Sequence, residues 1–141
     1  MVLKHVYLLS VLALFASCTN DHQKVVNKSS YTIKVGESFQ LELSQNASTG
    51  YTNCWINKSD CTSVRKTSSK WIPSEREKEG CVGCSSPVRW TFTGIKPGRD
   101  TLEIYNCPAL WEGRDCDFYN SDTMDITQLQ LVKKIPVHVI K

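Results

Sequence analysis

The sequence predicts an all-β fold, a β-sandwich of about seven short strands. Three observations carry that expectation. Apolar and polar residues alternate in short runs bounded by turn residues, the 3.6-residue apolar period of a helix is nowhere sustained, and 141 residues is the size of one domain.

The first stretch reads as lying outside that fold. Lys4 and His5 form a polar start, Val6 to Phe15 is an apolar run broken only by Ser10, and small Ala16 and Ser17 precede Cys18. This is the three-part layout of a secretory signal, with an apolar run too short for a permanent membrane span. The ending Leu14-Phe15-Ala16-Ser17-Cys18 resembles a bacterial lipobox, in which a lipid is attached to the cysteine before cleavage. An ordinary secretory signal would leave Cys18 as a spare thiol, because ordinary cleavage needs no cysteine. The expected organisation is a lipoprotein signal over residues 1–17, lipidated Cys18 and a polar tether over 18–28, and one β-domain over 29–141. Two or more acyl chains would hold such a protein stably on a membrane, so the expected location is the bacterial cell envelope. Loss of Lys4 with the signal leaves one fewer than the chain's 17 Lys and Arg, against 14 Asp and Glu. That near balance argues against nucleic acid or an anionic lipid surface as partner.

Within the domain, Tyr31 to Val35 alternates, Gly36-Glu37 turns, and Phe39, Leu41 and Leu43 share one face of the next strand. A polar loop over Ser44 to Gly50 leads to a strand over Tyr51 to Ile56. The segment from Asn57 to Ser86 is irregular, with Val64 and Trp71-Ile72 its best strand candidates. Val88, Trp90 and Phe92 then share a face, Lys96 to Arg99 turns, and Thr101 to Tyr105 follows as a strand. Ile135 to Ile140 closes the chain, with Pro136 suggesting an edge position or an irregular start.

Six cysteines follow Cys18: Cys54, Cys61, Cys81, Cys84, Cys107 and Cys116. An even number in an exported chain favours three disulfides, whose pairing spacing alone leaves open. Cys81-Val82-Gly83-Cys84 has zinc-ligand spacing, but no second such pair exists and His22 and His138 lie far from it. Neither a metal nor another cofactor is expected. A thioredoxin-like role would place the pair between a strand and a helix, and no helix is expected here. The sequons at Asn27, Asn46 and Asn57 read as accidental in a bacterial lipoprotein.

Residue types alone give a binding module. No free cysteine pairs with a histidine, and His138 sits in an alternating strand that explains it without a function. Glu75, Glu77 and Glu79, interleaved with Arg76 and Lys78, read as a solvated surface run. The chain is not expected to be an enzyme.

Three segments, in order, then carry a resemblance. Asn46-Ala47-Ser48-Thr49-Gly50-Tyr51 is similar to the Asn-Pro-Thr-Thr-Gly-Tyr loop of the chagasin family, inhibitors of papain-like cysteine peptidases. Gly80-Cys81-Val82-Gly83-Cys84 resembles that family's glycine-rich loop, and Cys107-Pro108-Ala109-Leu110-Trp111-Glu112 occupies the place of its Arg-Pro-Trp loop. The resemblance runs roughly from Ser30 to Lys141. It implies an immunoglobulin-like sandwich whose three loops project from one end into a peptidase cleft. Asn46, Ser48, Thr49 and Gly50 would then contact the peptidase, with Thr49 approaching its catalytic cysteine and obstructing it. Gly80, Val82 and Gly83 would border one side, and Pro108 and Trp111 an apolar surface on the other. Ala47 departs from the family by removing one fixed φ, Cys84 replaces a glycine, and Ala109 and Leu110 separate Pro108 from Trp111. The strands carrying Cys54 and Cys107 would be sheet neighbours in such a sandwich, so the resemblance also implies a Cys54–Cys107 bond bracing two loops. The implied partner is a papain-like peptidase bound by a monomer. The competing expectation is an envelope-anchored adhesion or carbohydrate-binding module on the same fold.

Overall fold

A computed structural model describes residues 27–109, 116 and 125–141. The expected signal, Cys18, most of the tether and Trp111 lie outside the described residues. Seven strands form among those described: β1 (Tyr31–Lys34), β2 (Ser38–Gln45), β3 (Tyr51–Trp55), β4 (Val64–Trp71), β5 (Ser86–Gly94), β6 (Gly98–Pro108) and β7 (Gln130–Ile140). They make a sheet of order β1-β7-β6-β3 facing one of order β2-β5-β4. All pairings are antiparallel except β1 with β7, which is parallel.

The alternation read from the sequence becomes the core. In β5 every second residue from Ser86 to Gly94 is buried, and the antiparallel register sets Phe39 opposite Phe92, Leu41 opposite Trp90 and Leu43 opposite Val88. Leu102 and Ile104 from β6, and Ile135, Val137 and Val139 from β7, meet them from the other sheet. Phe92 is wholly buried, stacks on Phe39 at 5.4 Å between ring centroids and takes the edge of Trp55 at 5.2 Å. Each such large apolar side chain contributes about 2–3 kcal/mol on burial.

Two polar clamps hold the irregular crossing from β3 to β4. The buried Asp100 carboxylate accepts the backbone N–H groups of Thr62, Ser63 and Val64 at 3.3, 2.7 and 3.0 Å. Asn57 Oδ1 accepts from Trp55 Nε1 and the Glu103 N–H, while its Nδ2 donates to the Thr101 carbonyl. The buried Asn57 amide is therefore committed to structure, which suits the reading of its sequon as accidental.

Three expectations need correction. Glu75–Lys78 forms one turn of helix, α1, capped by Ser74, whose Oγ accepts the Glu77 N–H. Glu77 is more than a solvated charge, because its carboxylate accepts from Trp71 Nε1 and from Ser86 Oγ. The segment is short enough that capping decides its conformation, and no apolar period announces it. Second, β7 is an interior strand, not an edge. It is flanked by β1 only from Val137 onward, however, so Pro136 stands just where one flank is still open and its missing N–H costs no ladder bond on that side.

Third, Cys54 bonds to Cys116, not to Cys107. β3 and β6 are neighbours as the resemblance implied, but their register sets Cys54 opposite Tyr105 and Cys107 opposite Thr52. The two cysteines are therefore diagonal, roughly 7–8 Å between Cα atoms, beyond the reach of a disulfide. Cys116 approaches Cys54 to 5.3 Å between Cα atoms. A second disulfide joins Cys81 and Cys84, while Cys61 and Cys107 are free thiols, so two bonds form where three were expected.

The Cys54–Cys116 bond defines a second, smaller core. Strand alternation sends Trp55 inward and Cys54 to the outer face of its sheet, where Cys54, Ile56 and Cys107 are buried beneath Cys116, Ile126 and Leu129. Burial pushes the Cys107 thiol up to about 11. Burial, then the nearby Asp100 charge, pushes the Cys61 thiol up to about 12. A raised thiol pKa means that the folded chain holds its proton more tightly than the unfolded chain does. The associated stability is full below about 9, the ordinary value, and is lost as pH climbs through 11. The urea midpoint should therefore fall between pH 9 and 11, by on the order of 2 kcal/mol for Cys107. A Cys61→Ala/Cys107→Ala variant should show a flatter alkaline limb in the same titration.

Candidate functional site

The site assembles at one end of the sandwich from the β2–β3, β4–β5 and β6–β7 connections. In the first, Asn46 is the N-cap of a single 3-10 turn over Ala47–Thr49, and Gly50 ends that turn at φ 74°. Asn46 Oδ1 accepts the Ser48 N–H at 3.0 Å and the Ser48 hydroxyl at 2.7 Å. The Thr49 hydroxyl donates back to the Asn46 carbonyl at 2.8 Å, so a closed ring of local bonds shapes the turn. Ser48, Thr49 and Gly50 are all exposed. Only glycine adopts this φ without strain, and a Cβ at Gly50 would meet open space, so the backbone conformation alone explains the residue.

The second connection is built on α1. Gly80 leaves the helical turn at φ 90°, and the Cys81 N–H donates to the Arg76 carbonyl at 2.9 Å. Cys81 and Cys84 then close the tip, leaving Val82 95% exposed at its apex. Trp71 and Ser86 hold Glu77 from the strands on either side, so the base of the loop is braced by a half-buried polar contact.

These two loops touch. Asn46 Nδ2 donates to the Gly83 carbonyl at 2.7 Å, and a Cβ on Gly83 would lie 3.1 Å from Ser48 Oγ. A shallow cleft runs between them, lined by Asn46, Ser48, Val82 and Gly83, with Trp71 and Glu77 beneath. The third connection joins from the other side. Pro108 ends β6 opposite Tyr51, and the Ala109 N–H donates to the Gly50 carbonyl at 2.7 Å. Asn46, Ser48, Thr49, Gly50, Gly80, Val82, Gly83 and Pro108 are thus brought to one end, while Trp111 lies outside the described residues.

Sequence reasoning missed two features. Tyr51, which strand alternation alone would place in the core with Trp55, is 47% exposed. It has Trp55's parity but is the first residue of β3, where the sandwich opens toward the loops. Asn46 was expected only as a contact residue, yet its amide is the strut between two loops. Its place before a turn signalled the cap, and nothing local signalled Gly83, 37 residues away.

Residues 46–51 and 80–86 contain no acidic or basic side chain, so these two loops lose their water at low electrostatic cost. No group of three or more metal-ligating residues forms among the described residues. Two uncharged loops bonded to each other, with the start of the third connection bonded to the first, form a surface suited to binding another protein.

Comparison with known proteins names its family. Residues 32–122 match the Chagasin family peptidase inhibitor I42, and the chain belongs to that family. It is accordingly a peptidase inhibitor and not an enzyme. The solution structure of amebosin is similar in fold, with a TM-score of 0.52 and 16% identity, over 81% of this chain and 90% of that one. The crystal structure of the cysteine protease inhibitor EhICP2 from Entamoeba histolytica gives a TM-score of 0.46 at 17% identity, over 79% of this chain and 85% of the other. No curated protein sequence matches the chain.

Asn46→Ala removes a cap and the bond to Gly83 together. It should cost about 1 kcal/mol of stability, readable as a lower urea midpoint. The same change should weaken peptidase inhibition about tenfold by uncoupling the two loops.

Proposed function

We propose that this protein inhibits papain-like cysteine peptidases by seating its three loops in the active-site cleft. The observation that carries the reading is the bonded convergence of the loops, Asn46 to Gly83 and Ala109 to Gly50, around an exposed Thr49. Thr49 occupies the centre and blocks approach to the enzyme's nucleophile. Its backbone is held by Asn46 on one side and Gly50 on the other, so little order has to be gained on docking. In this reading Val82 and Gly83 meet one wall of the cleft, and Pro108 and Trp111, by their resemblance to the family's third loop, meet the other. Tryptophan in such a position is a strong anchor, since aromatic burial dominates interface energies. No bond is made or broken, and inhibition is occupancy by a single copy of the chain.

Titration of papain and a cathepsin-like enzyme with the purified protein should abolish activity at a one-to-one ratio. Thr49→Asp, which sets a charge at the enzyme's nucleophile, and Trp111→Ala should each raise the inhibition constant about tenfold or more. The unfolding midpoint should stay unchanged. Full peptidase activity at micromolar protein would refute the reading.

The Leu14 to Cys18 segment supports a further part of the proposal, that the inhibitor is displayed from the cell envelope by lipids on Cys18. Cells fed a labelled fatty acid should label the protein, and Cys18→Ser should abolish the label. Labelling that survives this change would remove the anchor from the account.

A further inference from the structure

The Cys81–Cys84 disulfide closes the tip of a candidate contact loop, and nothing in the inhibitory reading requires it. We propose that this pair is a reversible thiol–disulfide site that sets how tightly the protein holds its peptidase. The disulfide form is the tight binder and the dithiol the weak one. The inference rests on the reading of Gly80 to Cys84 as a peptidase-contact loop.

Two contrasts within the molecule argue for selective reactivity. Cys81 and Cys84 are both partly exposed, in a loop at the surface, whereas in the other bond only Cys116 is partly exposed and Cys54 is wholly buried. The Cys81–Cys84 ring spans a sequence separation of 3, and the Cys54–Cys116 loop one of 62. A native disulfide stabilises the fold more as its loop lengthens, so folding in turn holds the long-loop bond closed more firmly, and access governs thiol attack; both contrasts make the short bond the one opened first. The free thiols of Cys61 and Cys107 are kept protonated by burial and do not compete as nucleophiles near neutral pH.

The chemistry closes with a small-molecule thiol as reductant. Its thiolate attacks Sγ of one cysteine, the electron pair of the broken bond leaves on the other Sγ, and a mixed disulfide forms. A second thiolate attacks the small-molecule sulfur of that mixed disulfide and releases the protein pair as a dithiol. The pair gains two electrons and two protons, and two small thiols leave joined as their disulfide.

The structural consequence is confined to the tip. The loop base stays in place, held by the Cys81 N–H on the Arg76 carbonyl, by Glu77 against Trp71 and Ser86, and by Asn46 on the Gly83 carbonyl. The ring is what limits Val82, which is 95% exposed, and it shares with the Asn46 bond the restraint on Gly83, at φ 79°. Docking an open loop must then order these residues, and the expected loss is roughly tenfold in affinity. A reducing environment favourable to a peptidase's catalytic thiol is thereby one in which this inhibitor loosens its hold.

The test equilibrates the full-length protein in glutathione redox buffers, alkylates it and maps the modified cysteines. In parallel, inhibition constants are measured against papain freed of excess activating thiol, for the oxidised protein, the glutathione-reduced protein and a Cys81→Ser/Cys84→Ser variant. Cys81 and Cys84 should become alkylated together under conditions that leave Cys54–Cys116 intact. The reduced protein and the variant should both inhibit roughly tenfold more weakly than the oxidised form. The proposal is overturned if both disulfides open together, or if the reduced protein and the variant inhibit as tightly as the oxidised form. An oxidised protein that fails to inhibit at all refutes the inhibitory reading itself, and this inference with it.

Discussion

The packing of two sheets around Phe92 is the constraint on which everything else in the domain depends. Phe92 draws β2 and β5 into register through Phe39 and meets the opposite sheet through Trp55. With those strands set, the β2–β3, β4–β5 and β6–β7 connections leave the sandwich at one end, and short hydrogen bonds suffice to join them. Were β5 to slip by one residue against β2 and β4, its alternation would turn the apolar set outward and the loops would lose their common base. Precise placement of a recognition tip is therefore a property of the core as much as of the loops.

The two disulfides serve different ends of that arrangement. Cys54–Cys116 lies on the outer face of the four-stranded sheet, where it fixes the returning chain above Ile56 and Cys107. Its long loop gives it a large entropic role, about 4 kcal/mol in the chain-entropy account. Cys81–Cys84 closes only its own tip, so it shapes a surface and adds little to the stability of the whole. The same economy appears in the hydrogen bonds. Buried Asp100 and Asn57 brace the long crossing between the sheets, while half-buried Asn46 braces two loops.

Much of the architecture was legible because strand period is local. Phe39, Leu41 and Leu43, and Val88, Trp90 and Phe92, show their common face in the sequence itself, and each set is buried as the alternation requires. The three loops were legible as motifs for a similar reason, since a cap, a turn and a glycine sit within a few residues of one another. Features decided by register were not. Whether Cys54 meets Cys107 or Cys116 turns on a two-residue offset between β3 and β6, and spacing carries no record of that offset. The helical turn at Glu75–Lys78 escaped notice because one turn has no period to detect.

By itself, then, the sequence determined that the chain forms an all-β sandwich and that three short motifs recur in its connections. Both follow from interactions between residues near in the chain, namely alternation, capping and turn geometry. Only the tertiary structure decided that Asn46 reaches Gly83, that Ala109 closes on Gly50 and that Cys107 remains a buried thiol. Those outcomes depend on the register of strands far apart in sequence, which is set by the energy of the packed core and by nothing that neighbouring residues can encode.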